Sequence, residues 1–329
     1  MKILTLLSKA GLNGFFFAMI GVVAIAWFFP EAGAADSSLP LKVISDFGVS
    51  VIFFFYGVSL SPERLRAGLS QMQLHSVVQA STFLLFPMVV LIAYALFNAP
   101  DTRLLWIGTF YLAALPSTVS SSVVMVSIAG GNVAAAIFNA SVSSLIGIII
   151  TPLWMSIFID SNTLSVGDLG GVIIDLCLQI LLPVILGLLL HRTLGFIVER
   201  HRKYLRLFDQ SVILLIVYRA FSESFAKDVF APYSISEILW LSLLMLALFF
   251  LMLGMMNVLA KWFKLSREDR ITLIFCGSKK SLMQGAVMGQ VLFPQTLSLG
   301  IILLPLMVYH ALQLLVGSIL AQRMAQDKR

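Results

Sequence analysis

The chain has 329 residues, of which 59% are apolar and 12% are charged, and its mean hydropathy is +0.98. The charged fraction is about half the usual share in soluble domains, which excludes a cytosolic enzyme, a disordered chain and a nucleic-acid-binding module. At about 20 residues per membrane span, this length accommodates roughly ten spans and leaves no room for a soluble domain of about 100 residues. Any binding or catalysis is therefore expected within the membrane part.

Apolar runs separated by polar breaks predict ten membrane spans along the chain. The first run follows Lys2 and Lys9 and precedes Ala32-Gly33-Ala34-Ala35, a pattern that resembles a signal peptide with its cleavage site. Because this run is longer than the core of a usual signal peptide, we count it as span one and keep cleavage as the alternative. The predicted spans are 11–29, 42–60, 72–97, 104–128, 132–157, 168–191, 209–226, 232–262, 271–293 and 297–321.

Lysine and arginine are distributed unequally between the predicted loops. If the N-terminus is cytoplasmic, 16 of them lie on the cytoplasmic side and three on the other side, while Arg219, Lys279 and Lys280 lie inside spans. Such an excess marks cytoplasmic loops, so we predict a multi-pass protein of the cell membrane with both ends cytoplasmic. The net charge of +6 is then a topology signal and does not indicate a nucleic-acid partner.

An even number of spans with both ends on one side allows two inverted repeats of five spans each. We place the repeat boundary near residue 160. Residues 1–192 then contain the first repeat and the start of the second, which are spans one to six. Residues 193–329 contain a basic linker and spans seven to ten.

The fourth span of each half is interrupted. In span four, Pro116 removes a backbone donor and is followed by a run of hydroxyl residues, and in span nine two lysines follow Gly277, although a lysine at the membrane centre costs at least ~2.5 kcal/mol. Taken singly, the first break could be a plain proline kink and the second a loop. Matching interruptions in two halves point to the binding site of a carrier. The candidate residues are Pro116, Ser117, Thr118, Ser120, Ser121, Ser122, Gly277, Ser278, Lys279, Lys280 and Ser281.

Further polar side chains inside the spans are secondary candidates, each with a structural alternative. Asn139 and Ser143 share a helix face beside Ser141, and they either line a cavity or bridge helices. Arg219 and Glu223 are four residues apart and can pair on one face of span seven. The same choice between cavity lining and bridging applies to Gln79 and His310.

Three segments of the chain resemble the bile acid:sodium symporter superfamily, most of all its bacterial branch related to the human solute carrier family 10 member 7. They are Asp46 to Val58, Pro116 to Pro152, and Phe275 to Leu282 with its Gly-Ser-Lys-Lys-Ser block. The resemblance implies an all-α membrane protein with ten transmembrane helices in the cell inner membrane. Spans one, two, six and seven would form a panel, and spans three to five and eight to ten a core in which broken helices four and nine cross.

The resemblance also implies where sodium ligands would lie, and this sequence departs from that pattern. The glutamate position of span nine falls on Phe275, the glutamine positions of spans nine and three fall on Lys279 and Thr82, and the Ser-Asn pair of span four falls on Ser121-Ser122. The hydroxyl positions of span five fall on alanines, Ala136 and Ala140. Sodium coupling is therefore in doubt, and the sequence implies no other cofactor or metal.

Lys279 and Lys280 allow several interpretations of this site. One ammonium could replace the sodium ion as a tethered cation or simply neutralise helix-end carbonyls. Burial disfavours the charged form of lysine, which would permit proton coupling, and an anionic substrate could also bind directly. We expect Lys279 to point into the crossing and stabilise it, and Lys280 to reach towards the substrate cavity.

These features favour a secondary carrier of a small organic, anionic solute that works by alternating access. The chain contains no phosphate-binding loop for ATP. The alternative is a membrane regulator or scaffold that keeps the carrier fold without transporting. The spans contain no histidine cluster or carboxylate pair of the kind that a membrane enzyme would need. The expected partners are membrane lipid and the solute, and the oligomeric state stays open.

The charge distribution generates a direct test of topology. Reporter fusions after Arg206 and after Ser161 should lie on opposite sides of the membrane, with the first one cytoplasmic. The measurement is the activity of a reporter that works on one side only. Fusions that report the same side would contradict the predicted arrangement.

Overall fold

The computed structural model describes residues 14–34, 37, 39–59, 71–97, 102–158, 174, 177–231, 233–293 and 298–326, and the regular structure throughout these residues is helical. The helices used below are α1 (Gly14–Phe28), α2 (Leu41–Ser59), α3 (Met72–Phe97), α4a (Arg103–Ala114), α4b (Ser120–Ala129), α5 (Val133–Phe158), α6 (Leu182–Leu189), α7 (Arg202–Ala226), α8 (Ile235–Trp262), α9a (Arg267–Gly277), α9b (Leu282–Leu292) and α10 (Leu299–Gln326). Two further helices, Pro30–Gly33 and His191–Arg200, follow α1 and α6.

Length and composition allow five of the described helices to cross a membrane, namely α2, α3, α5, α8 and α10. A sixth candidate is the pair Leu178–Leu189 and His191–Arg200, which is bent by 97°. The predicted all-α, multi-pass architecture is therefore confirmed in its coarse form. The ten spans, the inverted repeats and the division into panel and core stay predictions.

Both predicted interruptions are present. Leu115 is extended, with φ −69° and ψ 154°, because a residue that precedes proline is disfavoured in the helical region. Helix α4a therefore ends at Ala114, and α4b begins at Ser120. In the second break, the side chain of Ser281 accepts a 3.3 Å hydrogen bond from the N–H of Gln284 and so caps the start of α9b.

The helices pack in an order that brings the two breaks together. Helix α7 packs against α1 and α2, and α2 packs against α6. Helix α10 packs against α4a, α4b, α8 and α9b, and it also meets α7. The breaks thus lie among α3, α5 and α10, where most side chains are buried.

Glycines allow the closest approach between α2 and α6. A Cβ on Gly57 would overlap the carbonyl oxygen of Val184, and a Cβ on Gly187 would overlap that of Phe54. Small residues at helix interfaces in membranes let backbones come this close. By contrast, a Cβ on Gly254 in α8 would meet nothing within 4 Å.

This difference predicts opposite effects of alanine at these glycines. Gly57→Ala and Gly187→Ala should destabilise the protein by about 1 to 3 kcal/mol, because the backbones would have to separate. Gly254→Ala should leave stability unchanged or raise it by up to about 1 kcal/mol, since alanine favours helix. Thermal unfolding of the three purified variants checks this, and equal melting temperatures would contradict the packing described.

Candidate functional site

The two breaks bind each other through hydrogen bonds at their turning points. The N–H of Ser281 donates to the carbonyl oxygen of Pro116 at 3.0 Å, and the Ser117 hydroxyl donates to that of Cys276 at 2.6 Å. Backbone groups that a broken helix leaves unpaired must find partners inside the membrane part of a protein. The contact between the breaks supplies them.

The hydroxyl run of span four completes this contact. Ser122 Oγ donates to the carbonyl oxygen of Phe275 at 3.1 Å, and the Thr118 hydroxyl lies 2.8 Å from Ser121 Oγ and 2.7 Å from Ser122 Oγ. Phe275, at the position where the resemblance implies a glutamate, thus contributes its carbonyl oxygen. Ser120 begins α4b, and its side chain lies outside the described part of the structure.

Lys280 is fully buried and its ammonium group binds three carbonyl oxygens. They belong to Ala113 at 2.6 Å, Leu115 at 2.7 Å and Thr82 at 2.8 Å. An ammonium has three N–H donors, so each donor has a carbonyl partner here. Its nitrogen also lies 4.4 Å from the ring centre of Phe86, which adds a cation–π contact.

Proline creates the oxygen ligands that Lys280 uses. Pro116 ends α4a, so the carbonyls of Ala113 and Leu115 have no helical partner, and the negative end of the helix dipole favours a cation there. In α3, the π-helical turn Ser81–Leu85 directs the Phe86 N–H to Ser81. The next residue, Pro87, has no N–H, which leaves the Thr82 carbonyl available.

Lys279 is equally buried but has weaker partners. Its ammonium donates to the Ser121 carbonyl oxygen at 3.3 Å and contacts the Met125 sulfur. The nitrogen lies 5.4 Å from the ring centre of Phe275. A thioether is a poor acceptor, so this ammonium is less well compensated than that of Lys280.

The prediction that Lys279 stabilises the crossing and Lys280 reaches towards the substrate cavity is wrong. Lys280, not Lys279, binds the helix-end carbonyls. Lys279 and Lys280 lie in the non-helical segment between α9a and α9b, where side chains do not follow the 100° step of a helix. Their directions are therefore set by the local turn and by the carbonyls within reach.

Side chains of helix α10 bind main-chain groups of the second break. The Gln313 side chain accepts from the Lys280 N–H at 2.9 Å and donates to the Lys280 carbonyl at 2.8 Å. Tyr309 donates to the Ser278 carbonyl at 2.6 Å. His310 Nδ1 lies 2.7 Å from the Gln313 amide nitrogen, so His310 acts on the site through Gln313.

The polar residues of α3 and α5 mostly bridge helices. Gln79 donates to the carbonyl oxygen of Asn139 at 3.0 Å and to its amide oxygen at 3.3 Å. Ser143 Oγ accepts from the N–H of Ser117 at 2.9 Å, which ties α5 to the first break. Ser141 turns away and donates to the Ile137 carbonyl of its own helix at 2.9 Å.

A second polar cluster lies away from the breaks, where α2, α7 and α9b meet. Glu223 pairs with Lys227, and Arg219 Nη1 donates to Ser45 Oγ at 2.9 Å. Arg219 stays within electrostatic range of Asp46 and Glu223.

Ser45 is the centre of this cluster, and no pattern in the sequence pointed to it. Its hydroxyl accepts from Arg219 and, at 2.8 Å, from Gln290, and it donates to the Lys42 carbonyl at 2.9 Å. Gln290 also bonds the Asp46 carboxylate. A single fully buried serine therefore joins three helices.

Comparisons with other proteins relate the whole chain to one transporter family. The model of the SBF-like CPA transporter family matches residues 13–326. An uncharacterized protein of Pseudomonas aeruginosa is 39% identical over 96% of this chain and 94% of its own length. YfeH of Escherichia coli is 37% identical over 95% and 92%. The sodium/bile acid cotransporter 7-A of Xenopus laevis is 31% identical over 96% and 92%.

The unequal coordination of the lysines predicts unequal losses of stability. Lys280→Met should destabilise the protein by on the order of 3 kcal/mol, because it leaves buried carbonyls without donors. Lys279→Met, the matched control on the neighbouring residue, should cost on the order of 1 kcal/mol. The measurement is thermal unfolding of both purified variants, and a larger loss for Lys279→Met would contradict the coordination described.

Proposed function

Because the chain belongs to the SBF-like CPA transporter family, we propose that it is a secondary transporter that moves an organic anion by alternating access without sodium as an obligatory driver. The family supports transport. The anion and the absence of sodium coupling are our proposal, and they rest on the charge and coordination of the site.

The ammonium of Lys280 carries this proposal. It takes three carbonyl oxygens contributed by two chain segments, Thr82 of α3 and the end of α4a. Carbonyl oxygens at unwound helix ends are the ligands with which carriers of this general plan hold cations. Lys280 is thus a cation tethered at the crossing, where sodium-coupled relatives would bind a free ion.

Electrostatics oppose a sodium ion beside this group. Two unit charges about 4 Å apart repel by about 4 kcal/mol at an effective dielectric constant near 20. Lys279 adds a second ammonium next to the first. No carboxylate side chain occurs between Ile271 and Leu292, so the residues around the second break offer a cation no negative charge.

The same excess of positive charge favours an anionic solute. The name of the Xenopus laevis relative refers to bile acid, which is an organic anion, and this motivates the choice of class. Anions are also drawn to helix N-termini, and α4b and α9b both begin at the breaks. A carboxylate that enters between the breaks would meet these ends and Lys279.

Flux in proteoliposomes separates this function from the regulator or scaffold alternative. A thermal-shift screen of purified protein across organic acids, including cholate, would identify a probe, because a ligand of the folded state raises the melting temperature. We expect the probe to accumulate in vesicles that contain the protein. Acids that bind without any protein-dependent flux would favour the scaffold.

Sodium replacement tests the coupling. Probe flux should persist when choline replaces sodium on both sides of the vesicles, since the tethered ammonium takes the place of the ion. The control is an equal change of ionic strength with sodium on both sides. Strict and saturable sodium dependence would overturn this part of the proposal.

Chemical rescue tests the tethered cation itself. Lys280→Ala removes the ammonium and leaves the carbonyls of Thr82, Ala113 and Leu115 in place. We expect sodium or propylammonium, but not choline, to raise the melting temperature of this variant and not that of Lys279→Ala. Equal responses of the two variants to all three cations would contradict the assignment.

A further inference from the structure

The guanidinium of Arg219 is incompletely used at the junction of α2, α7 and α9b. Within the described residues it donates one hydrogen bond, from Nη1 to Ser45 Oγ at 2.9 Å. A guanidinium carries several N–H donors in a planar fork that suits a carboxylate. Arg219 is only partly buried.

Both carboxylates near Arg219 bind other side chains as well. Asp46 binds Lys42 at 3.0 Å through one oxygen and Gln290 through the other, and Glu223 pairs with Lys227. The cluster contains three cations and two carboxylates, which leaves one net positive charge. Arg219 lies within electrostatic range of both carboxylates, and its Nη1 atom donates to the neutral hydroxyl of Ser45.

Gln290 presents an acceptor beside this cation. Its amide nitrogen donates to Ser45 and Asp46, which fixes the orientation of the amide, and its Oε1 atom is buried without a donor among the described residues. A buried polar atom without a partner is costly. Arg219 and Gln290 donate to the same Ser45 oxygen, so a ligand on Arg219 would lie within reach of the Gln290 oxygen.

We propose that Arg219 and Gln290 form a recognition site for an organic anion with a hydroxyl group next to its charged group. The carboxylate would accept from the Arg219 fork, and the hydroxyl would donate to Gln290 Oε1. This site rests on the proposed transport function, which it deepens by naming the solute's recognition groups. It is separate from the Lys280 site, with which it shares no hydrogen bond in the described residues.

The position of the site gives it a role in access. Arg219 lies seven residues before the end of α7, Ser45 lies four residues after the start of α2, and Gln290 lies two residues before the end of α9b. All three are near helix ends that the predicted topology places outside. An anion that binds Arg219 competes with Ser45, the residue that ties α2 and α7 to α9b.

Three small probes of matched shape test the recognition. Melting temperatures of the purified protein would be titrated with hexanoate, hexanamide and 2-hydroxyhexanoate at constant ionic strength. In the wild type we expect hexanoate to bind at least tenfold more tightly than hexanamide, and 2-hydroxyhexanoate several-fold more tightly than hexanoate. A wild type that does not distinguish the acid from the amide would overturn the site.

Variants of Arg219 and Gln290 test separately the contact to the carboxylate and the contact to the hydroxyl. Arg219→Gln should lose the preference for acid over amide, and Gln290→Leu should keep that preference but lose the gain from the hydroxyl. Arg103→Gln, which removes an exposed cation outside this cluster, should behave as the wild type does. If Arg219→Gln does not fold, Arg219→Lys should fold and bind the acids about tenfold more weakly with the amide unchanged.

Acid preference that survives in Arg219→Gln or Arg219→Lys would contradict the assignment, as would a hydroxyl gain that survives in Gln290→Leu. These binding ratios do not depend on flux. A failure of the transport proposal in vesicles is therefore distinguishable from a failure of this site.

Discussion

A buried ammonium held by main-chain oxygens is the interaction on which the rest of this structure depends. Because α4a ends inside an apolar assembly, its last carbonyls have no helical partners. A buried charge such as that of Lys280 is also costly when it is unpaired. Each of these features would be unfavourable alone. Together they satisfy each other, because Ala113, Leu115 and Thr82 supply as many acceptors as the ammonium has donors.

Lys279 and Lys280 are adjacent and identical in chemistry, but they have different partners. Lys280 reaches oxygens released by Pro116 and Pro87, whereas Lys279 meets one longer carbonyl contact and the Met125 sulfur. The well-compensated charge suits a fixed element of the fold. The poorly compensated charge suits a group that changes partners during function.

Sequence reasoning predicted the helical class, the family and both breaks, because proline, glycine and lysine in apolar runs have strong local consequences. It did not predict which lysine binds the carbonyls, since that depends on the direction of a non-helical turn. It missed Ser45 and Gln290, which are ordinary residues until three helices bring them together. Contacts between distant segments leave little trace in a single sequence.

The Gln313 side chain bonds both the N–H and the carbonyl oxygen of Lys280. The backbone conformation of the break is therefore held independently of the side chain at this position. A primary amide that pairs with an N–H and a C=O acts as a neighbouring strand would, and it does so for any residue at this position except proline. Evolution could then exchange a tethered charge for a free ion, or the reverse, while the backbone of the crossing stays as it is. The backbone at residue 280 is thus held whatever charge the side chain there carries.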